Sequence, residues 1–204
     1  MFVGGKDKNL SDEKRGAGLG SVWTWTCIDA DTKLIPSWLV GTRDAGTVYE
    51  FMSDVASRLR GRVQLTTDGH KPYLAAVEGA FGADIDYATL TKLYGNDPEA
   101  EKRYSPAKCI GVECKIVAGD PNPKHVSTSY VERANLTMRM SIRRFTRLTN
   151  AFSKKLENHA AMVALYFMYY NFGRVHQTLR GAPAMEAGIA THVWSIEEIV
   201  GLLK

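Results

Sequence analysis

After a polar opening, apolar and polar residues first fall into a regular pattern between Val22 and Gly41. Trp23, Trp25 and Cys27 alternate with threonines, Leu34 to Val40 is an apolar run, and the turn-like stretch Asp29-Ala30-Asp31-Thr32-Lys33 lies between them. That arrangement predicts a β-hairpin, with Trp23 and Trp25 on one face of their strand, where burial is expected. The period then changes. Val48, Phe51, Met52, Val55 and Leu59 recur at helical spacing, Thr47 and Glu50 have the form of a capping box, and Gly61 ends the pattern. A short β-run from Val63 leads into Asp68-Gly69; Pro72 sits where the first turn of a helix tolerates it, and a helix through Tyr73 to Ala80 follows. Ile85 to Leu93 reads as another strand.

Beyond it, residues 94–126 are rich in glycine, proline and charge and are read as an insertion with one small hairpin, Cys109 to Val117. Ser129-Tyr130-Val131-Glu132 opens a helix expected to run to Leu148. Asn158 to Asn171 is almost entirely apolar and is expected to be a buried helix, which makes Tyr166, Phe167, Tyr169 and Tyr170 core residues rather than a platform for stacking bases. A tail, 174–204, holds a Gly-Ala-Pro turn and one or two short helices. Hairpin, helix, strand, helix, strand, helix is the order of an α/β fold, a mixed sheet with helices packed on it, expected as one domain over 1–204. No repeat or low-complexity tract divides the chain.

Composition narrows the class. With 45% apolar and 24% charged residues in 204, the chain has the means to bury a core and is not disordered. The longest apolar stretch, Ala160 to Tyr170, falls short of the roughly 18 residues of a membrane span, and Met1 to Lys6 lacks a signal-peptide core. A soluble, cytoplasmic protein without a membrane partner is expected. Three cysteines fit a reducing compartment; Cys109 and Cys114 have the look of half a zinc site, but no second pair completes it.

The net charge of +4 is mild, but its distribution is uneven. From Arg133 to Lys155 there are seven basic residues (Arg133, Arg139, Arg143, Arg144, Arg147, Lys154 and Lys155) and no acidic one. Such a block suits a solvated helix face, and equally a surface that binds polyphosphate. Two carboxylates stand near it in the pattern. Asp68 ends a β-run, a place where ligands gather in open α/β sheets, and it also suits a turn or cap before Gly69. Glu132, three residues after Ser129, suits the acidic half of a capping box; with Asn135, Leu136, Arg139 and Arg143 at i+3, i+4, i+7 and i+11 it also starts a stripe of carboxylate, amide and guanidinium groups. Carboxylates that hold a hard cation beside cations that hold phosphate are what phosphodiester cleavage requires. His159 and His176 suit either buried hydrogen bonding or phosphate contact.

Several segments, in order, resemble the DDE transposases of the insertion sequence one type. They are Thr67-Asp68-Gly69-His70-Lys71-Pro72-Tyr73, Tyr130 to Arg139, Arg144 to Lys155 with Asn158-His159, and Tyr169 to His176 with Pro183-Ala184. The resemblance implies an RNase H-like fold; the loop-rich insertion read above falls before the glutamate helix and is longer than in such relatives. It also implies magnesium-dependent DNA strand cleavage and strand transfer, with manganese as a substitute ion, DNA ends and target as partners, and a homo-oligomer when active. Asp68 and Glu132 match the family's second and third catalytic, metal-holding residues. Arg139 matches a basic position near the DNA end, and Asn135, Arg143, Arg144, Arg147, Lys154 and Lys155 are the further DNA-binding candidates.

The family's first aspartate sits a few residues before a Phe-Val-Gly-like stretch, and here the sequence opens on Met1-Phe2-Val3-Gly4. Asp29, by the same resemblance, belongs to a turn. The chain is therefore expected to be a truncated core, defective in catalysis and without the upstream region that recognises transposon ends. Two alternatives remain at this point: a non-enzymatic DNA-binding or inhibitory fragment, and a nuclease acting on RNA–DNA hybrids.

Overall fold

The computed structural model describes residues 1–16, 18–95, 108–145 and 151–203. In chain order the elements are β1 (Phe2–Val3), a 3-10 turn (Asp7–Asn9), α1 (Asp12–Gly16), β2 (Gly20–Ser21), β3 (Trp23–Cys27), β4 (Ser37–Gly41), α2 (Ala45–Arg58), β5 (Val63–Thr67) and α3 (Pro72–Phe81). Next come β6 (Ile85–Gly95), β7 (Lys108–Ala118), a 3-10 turn (Pro123–His125), α4 (Ser129–Ser141), a 3-10 turn (Arg143–Phe145) and α5 (Leu156–Met168). A π turn (Tyr169–Gly173), α6 (Pro183–Glu186) and α7 (Ile196–Gly201) complete the order. The class is α/β, with parallel and antiparallel pairing both present. Among the described residues no helix is long and apolar enough to cross a membrane.

Two compact units divide the chain: residues 1–43 with 130–204, and residues 44–129. In the first, β1 pairs with β2 and β3 with β4, each antiparallel. Ile35, Met138, Ile142, Val163, Phe167 and Tyr170 form its buried cluster, with Ile28, Trp38, Val40 and Ala134 packed on it, so the β3–β4 hairpin is covered by α4 and α5. Asn171 ties the hairpin down. Its Nδ2 donates to the carbonyl of Ile35 at 2.9 Å, and its Oδ1 accepts from the Ile35 N–H at 3.0 Å. Both backbone polar groups of the buried Ile35, at the entry to β4, are thus paired by one side chain.

The second unit holds the mixed sheet, β5-β6-β7, with β5 parallel and β7 antiparallel to β6. Val48, Phe51, Met52 and Val55 of α2, Ala76 and Val77 of α3, and Ile85, Tyr87 and Ala88 of β6 are buried. Arg62, just ahead of β5, is held to the start of β6: Nε and Nη2 donate to Asp86 at 3.0 and 2.8 Å, while Nη1 and Nη2 reach the carbonyls of Ala83 and Ile85. Asp86 also accepts from the Asp120 N–H at 2.7 Å, and these partners hold its carboxyl below the usual range. Gly119, at φ +67°, has to be glycine here, because a Cβ would run into Asp86, Arg62 and the Ile85 carbonyl.

Several expectations change. The cap of α2 is Asp44, whose carboxylate accepts from Thr47 N–H at 2.8 Å, so Thr47 lies inside the helix rather than at its start. Asp-x-x-Thr here outcompetes Thr-x-x-Glu because an ionised carboxylate is the stronger acceptor for the first-turn N–H groups. Cys109 to Val117 is not a hairpin in itself; it is part of the eleven-residue β7, paired with β6. α4 stops at Ser141 instead of Leu148, and the tighter turn that follows brings Ile142 into the buried cluster and Phe145 against it. α5 buries only one face, with Leu165 61% exposed, and Tyr169, in the π turn that follows, is exposed and not a core residue. Trp25 is buried with its Nε1 donating to the Thr42 carbonyl, whereas Trp23 is 44% exposed beneath the Arg43 guanidinium. The pairing of β1 with β2 had no counterpart in the sequence pattern.

Candidate functional site

Asp68 follows β5 at the carboxyl end of a strand in parallel pairing, and it is exposed. Its Oδ1 accepts from the His70 N–H at 3.1 Å, a local turn bond that fixes the carboxylate's direction. Gly69 passes close over β6, since a Cβ there would lie 2.5 Å from Thr91 Oγ1. Behind the carboxylate, the buried hydroxyls of Thr67 and Tyr87 lie 2.7 Å apart. Burial pushes the Tyr87 hydroxyl above its usual range, the Thr67 bond opposes that, and the Asp68 charge adds to the rise. The sequence therefore places a carboxylate at a strand end through three local choices: a β-run, an aspartate that bonds its own turn, and a glycine thin enough to clear the neighbouring strand.

Glu132 is exposed in the first turn of α4. Ser129 is the helix's first residue and not a residue ahead of it; its N–H donates to Ser127 Oγ at 3.2 Å, and the two serine hydroxyls lie 2.8 Å apart. Ala134 and Met138 turn toward the core, while Arg133, Leu136, Arg139 and Met140 are exposed. Asn135 lies between the two faces, half-buried, with its Oδ1 accepting from Thr26 Oγ1 of β3 at 3.3 Å. The expected stripe is thus real for Glu132 and Arg139, is bent at Asn135 toward the hairpin, and is broken before Arg143, which lies beyond the helix end in the 3-10 turn.

Arg143, Arg144, Lys154 and Lys155 are exposed. Arg144 is also structural: its Nη1 donates to Ser153 Oγ at 3.3 Å, and that buried hydroxyl lies 3.0 Å from Nδ1 of the fully buried His159. Burial holds the His159 imidazole below its ordinary value, and the positive amino terminus and Arg144 add to this. His159 is therefore a buried hydrogen-bonding residue, one of the two roles its sequence left open. Lys154 lies over the Phe152 ring at 3.6 Å, and Lys155 is the residue immediately ahead of α5. Arg147 lies outside the described residues.

Asp29 accepts from the N–H groups of Asp31 and Thr32 and from the Thr32 hydroxyl, and so builds the turn after β3. Cys109 and Cys114 are exposed on β7, and among the described residues no group of three or more His, Cys, Asp or Glu side chains is gathered to hold a metal. Asp68 belongs to the second unit and Glu132 to the first, and each is positioned by its own unit's elements. The Ser153–His159–Arg144 linkage escaped the sequence reading, although Ser153 and His159 both lie within segments that reading singled out.

No family model matches the chain, and neither does any curated protein or solved structure.

Proposed function

We propose that this chain is the catalytic core of a DDE-type transposase of the insertion sequence one kind, with an RNase H-like fold and the phosphodiester backbone of DNA as substrate. The observation that supports it best is a pair of exposed carboxylates, each in a setting suited to phosphoryl chemistry. Asp68 ends a strand in parallel pairing, and Glu132 opens a helix whose outer face carries Arg133 and Arg139. The ordered sequence segments that resemble this family supply the rest.

In this reading Asp68 and Glu132 hold magnesium, with manganese as a substitute, because their hard oxygen donors suit such ions. When bound, the ion supplies an activated water or hydroxyl and relief for the leaving oxygen. Arg139 and Arg143 hold phosphate oxygens and set the position of the strand without reading its bases. Asn135 keeps α4 in register with β3 through Thr26. Arg144 keeps the turn before α5 in place through Ser153, and so contributes to binding indirectly. Two of the three carboxylates that the chemistry uses are matched, so strand cleavage and joining by these 204 residues alone is expected to be weak.

A second reading, a non-enzymatic DNA-binding protein, draws on the exposed basic residues Arg133, Arg139, Arg143, Lys154 and Lys155. Fluorescence anisotropy with duplex DNA across a range of salt separates the two. Both readings expect Arg139→Gln and Arg143→Gln to weaken binding to any sequence alike, each lowering the salt slope by about 1. The transposase reading further expects manganese to tighten binding to the wild type and not to Glu132→Gln. Identical behaviour of those two proteins with and without manganese would leave the binding module as the function.

A further inference from the structure

β7 is the outer strand of the β5-β6-β7 sheet, paired along one edge with β6; no described strand pairs with its other edge. Its apolar side chains are open to solvent, with Ile110 68%, Val112 55% and Ile116 56% exposed, and Glu113, Cys114 and Lys115 are exposed as well. A free edge with unpaired N–H and C=O groups and apolar side chains is a template for a further strand.

The sequence of that edge selects the strand. Pairing with β6 is regular from Gly111 to Ile116, between irregularities that pass over Ile110 and Val117. Within that window Val112-Glu113-Cys114-Lys115-Ile116 is symmetric in character about Cys114: apolar, charged, thiol, oppositely charged, apolar. Two copies paired antiparallel about a two-fold axis must oppose residues whose backbone groups point the same way, so the axis falls on a residue and not between two. An axis at Glu113 opposes two glutamates, and one at Lys115 opposes two lysines; like charges directly across a ladder destabilise it. An axis at Cys114 opposes Glu113 with Lys115 of the second copy, twice, and Val112 with Ile116, twice.

We propose that β7 is a homodimerisation edge, through which two copies of this chain pair antiparallel about an axis at Cys114 and join their three-stranded sheets into one. The interface is self-complementary in charge and apolar along the face of Val112, Cys114 and Ile116. The occupant is a second copy rather than an unrelated strand, because the charge pattern is satisfied by its own reverse.

Sedimentation equilibrium of the full chain, with reductant, is expected to show a concentration-dependent dimer. Glu113→Lys, which sets lysines against lysines, should weaken it by about tenfold or more, and Glu113→Lys with Lys115→Glu should restore it. Oxidation with diamide provides a test independent of these variants. Opposed residues in an antiparallel pair have Cα atoms about 4.5 to 5.5 Å apart, within disulfide range. The two Cys114 thiols would lose two electrons and two protons to diamide, which is reduced to its hydrazine as the S–S bond forms. The cross-linked dimer should survive Cys109→Ser and vanish in Cys114→Ser; Cys27 does not compete, since burial pushes its thiol up to about 11. A wild-type chain that stays monomeric, a charge swap that fails to restore pairing in a folded protein, or a cross-link carried by Cys109 would overturn the proposal.

Discussion

The antiparallel pairs β3–β4 and β6–β7 are built from similar material and end in opposite surroundings. In the first, Trp38 and Val40 of β4 and Ile28 and Ile35 of the connection lie against α4 and α5, and Asn171 closes the turn. In the second, β6 buries Ile85, Tyr87 and Ala88, while β7 leaves Val112 and Ile116 exposed. Both contain β-branched and aromatic residues at alternating positions, so strand propensity does not separate them. What separates them is whether a helix with an apolar face lies over the pair. Coverage gives β3–β4 a structural role, and its absence leaves β7 an edge available for assembly.

The largest expected effect breaks the covered pair. Phe167 is buried and stacks on Trp38 with ring centroids 5.9 Å apart. Phe167→Ala should cost about 3 to 5 kcal/mol in denaturant unfolding, as truncations of buried aromatic side chains do. Asn171→Ala removes both bonds to Ile35 and leaves a half-buried backbone donor and acceptor unpaired; about 1 to 3 kcal/mol is expected by the same measurement.

A pH series sharpens the comparison from the covered side. His159 titrates below its ordinary value of 6.5 because burial disfavours its charge. The unfolded chain therefore takes up a proton before the folded one does, so the His159 contribution is complete above pH 6.5 and is lost as pH falls from there through the folded value. Thermal unfolding of the wild type should show that decline, and His159→Asn should flatten it. The smallest effect belongs to the uncovered strand: Val112→Thr, at low concentration where the chain is monomeric, should shift stability by no more than about 0.5 kcal/mol.

Much of the fold was legible because its signals are local. Apolar spacing in α2, the Pro72 start of α3 and the β-run before Asp68 each depend on a few neighbouring residues, and all three elements form. The misses have physical causes of three kinds. Two-residue strands such as β1 and β2 carry no period. The end of α4 is set by Ile142 and Phe145 meeting the core, a tertiary event that the continuing helical pattern does not announce. The glycine and charge around β7 read as a loop-rich insertion with a small hairpin of its own at Cys109 to Val117, because the strand's partner is β6 and its own composition does not announce that.

The candidate site divides in the same way. Asp68 at a strand end and Glu132 in the first turn of a helix were both read from local pattern, and so was the exposure of Arg139. The bond of Asn135 to Thr26 and the linkage of Arg144 through Ser153 to His159 join residues that no periodicity connects, and these assign two of the expected DNA contacts a part in holding the unit together.

The proposed function depends on Asp68 and Glu132 acting on one ion, and a manganese titration followed by the electron paramagnetic resonance of the free ion measures that most directly. Asp68→Asn and Glu132→Gln are each expected to abolish the same binding event, and the double substitution to add nothing further, as for groups sharing a ligand. Manganese binding that persists in either single variant, or two losses that simply add, would contradict the proposed function.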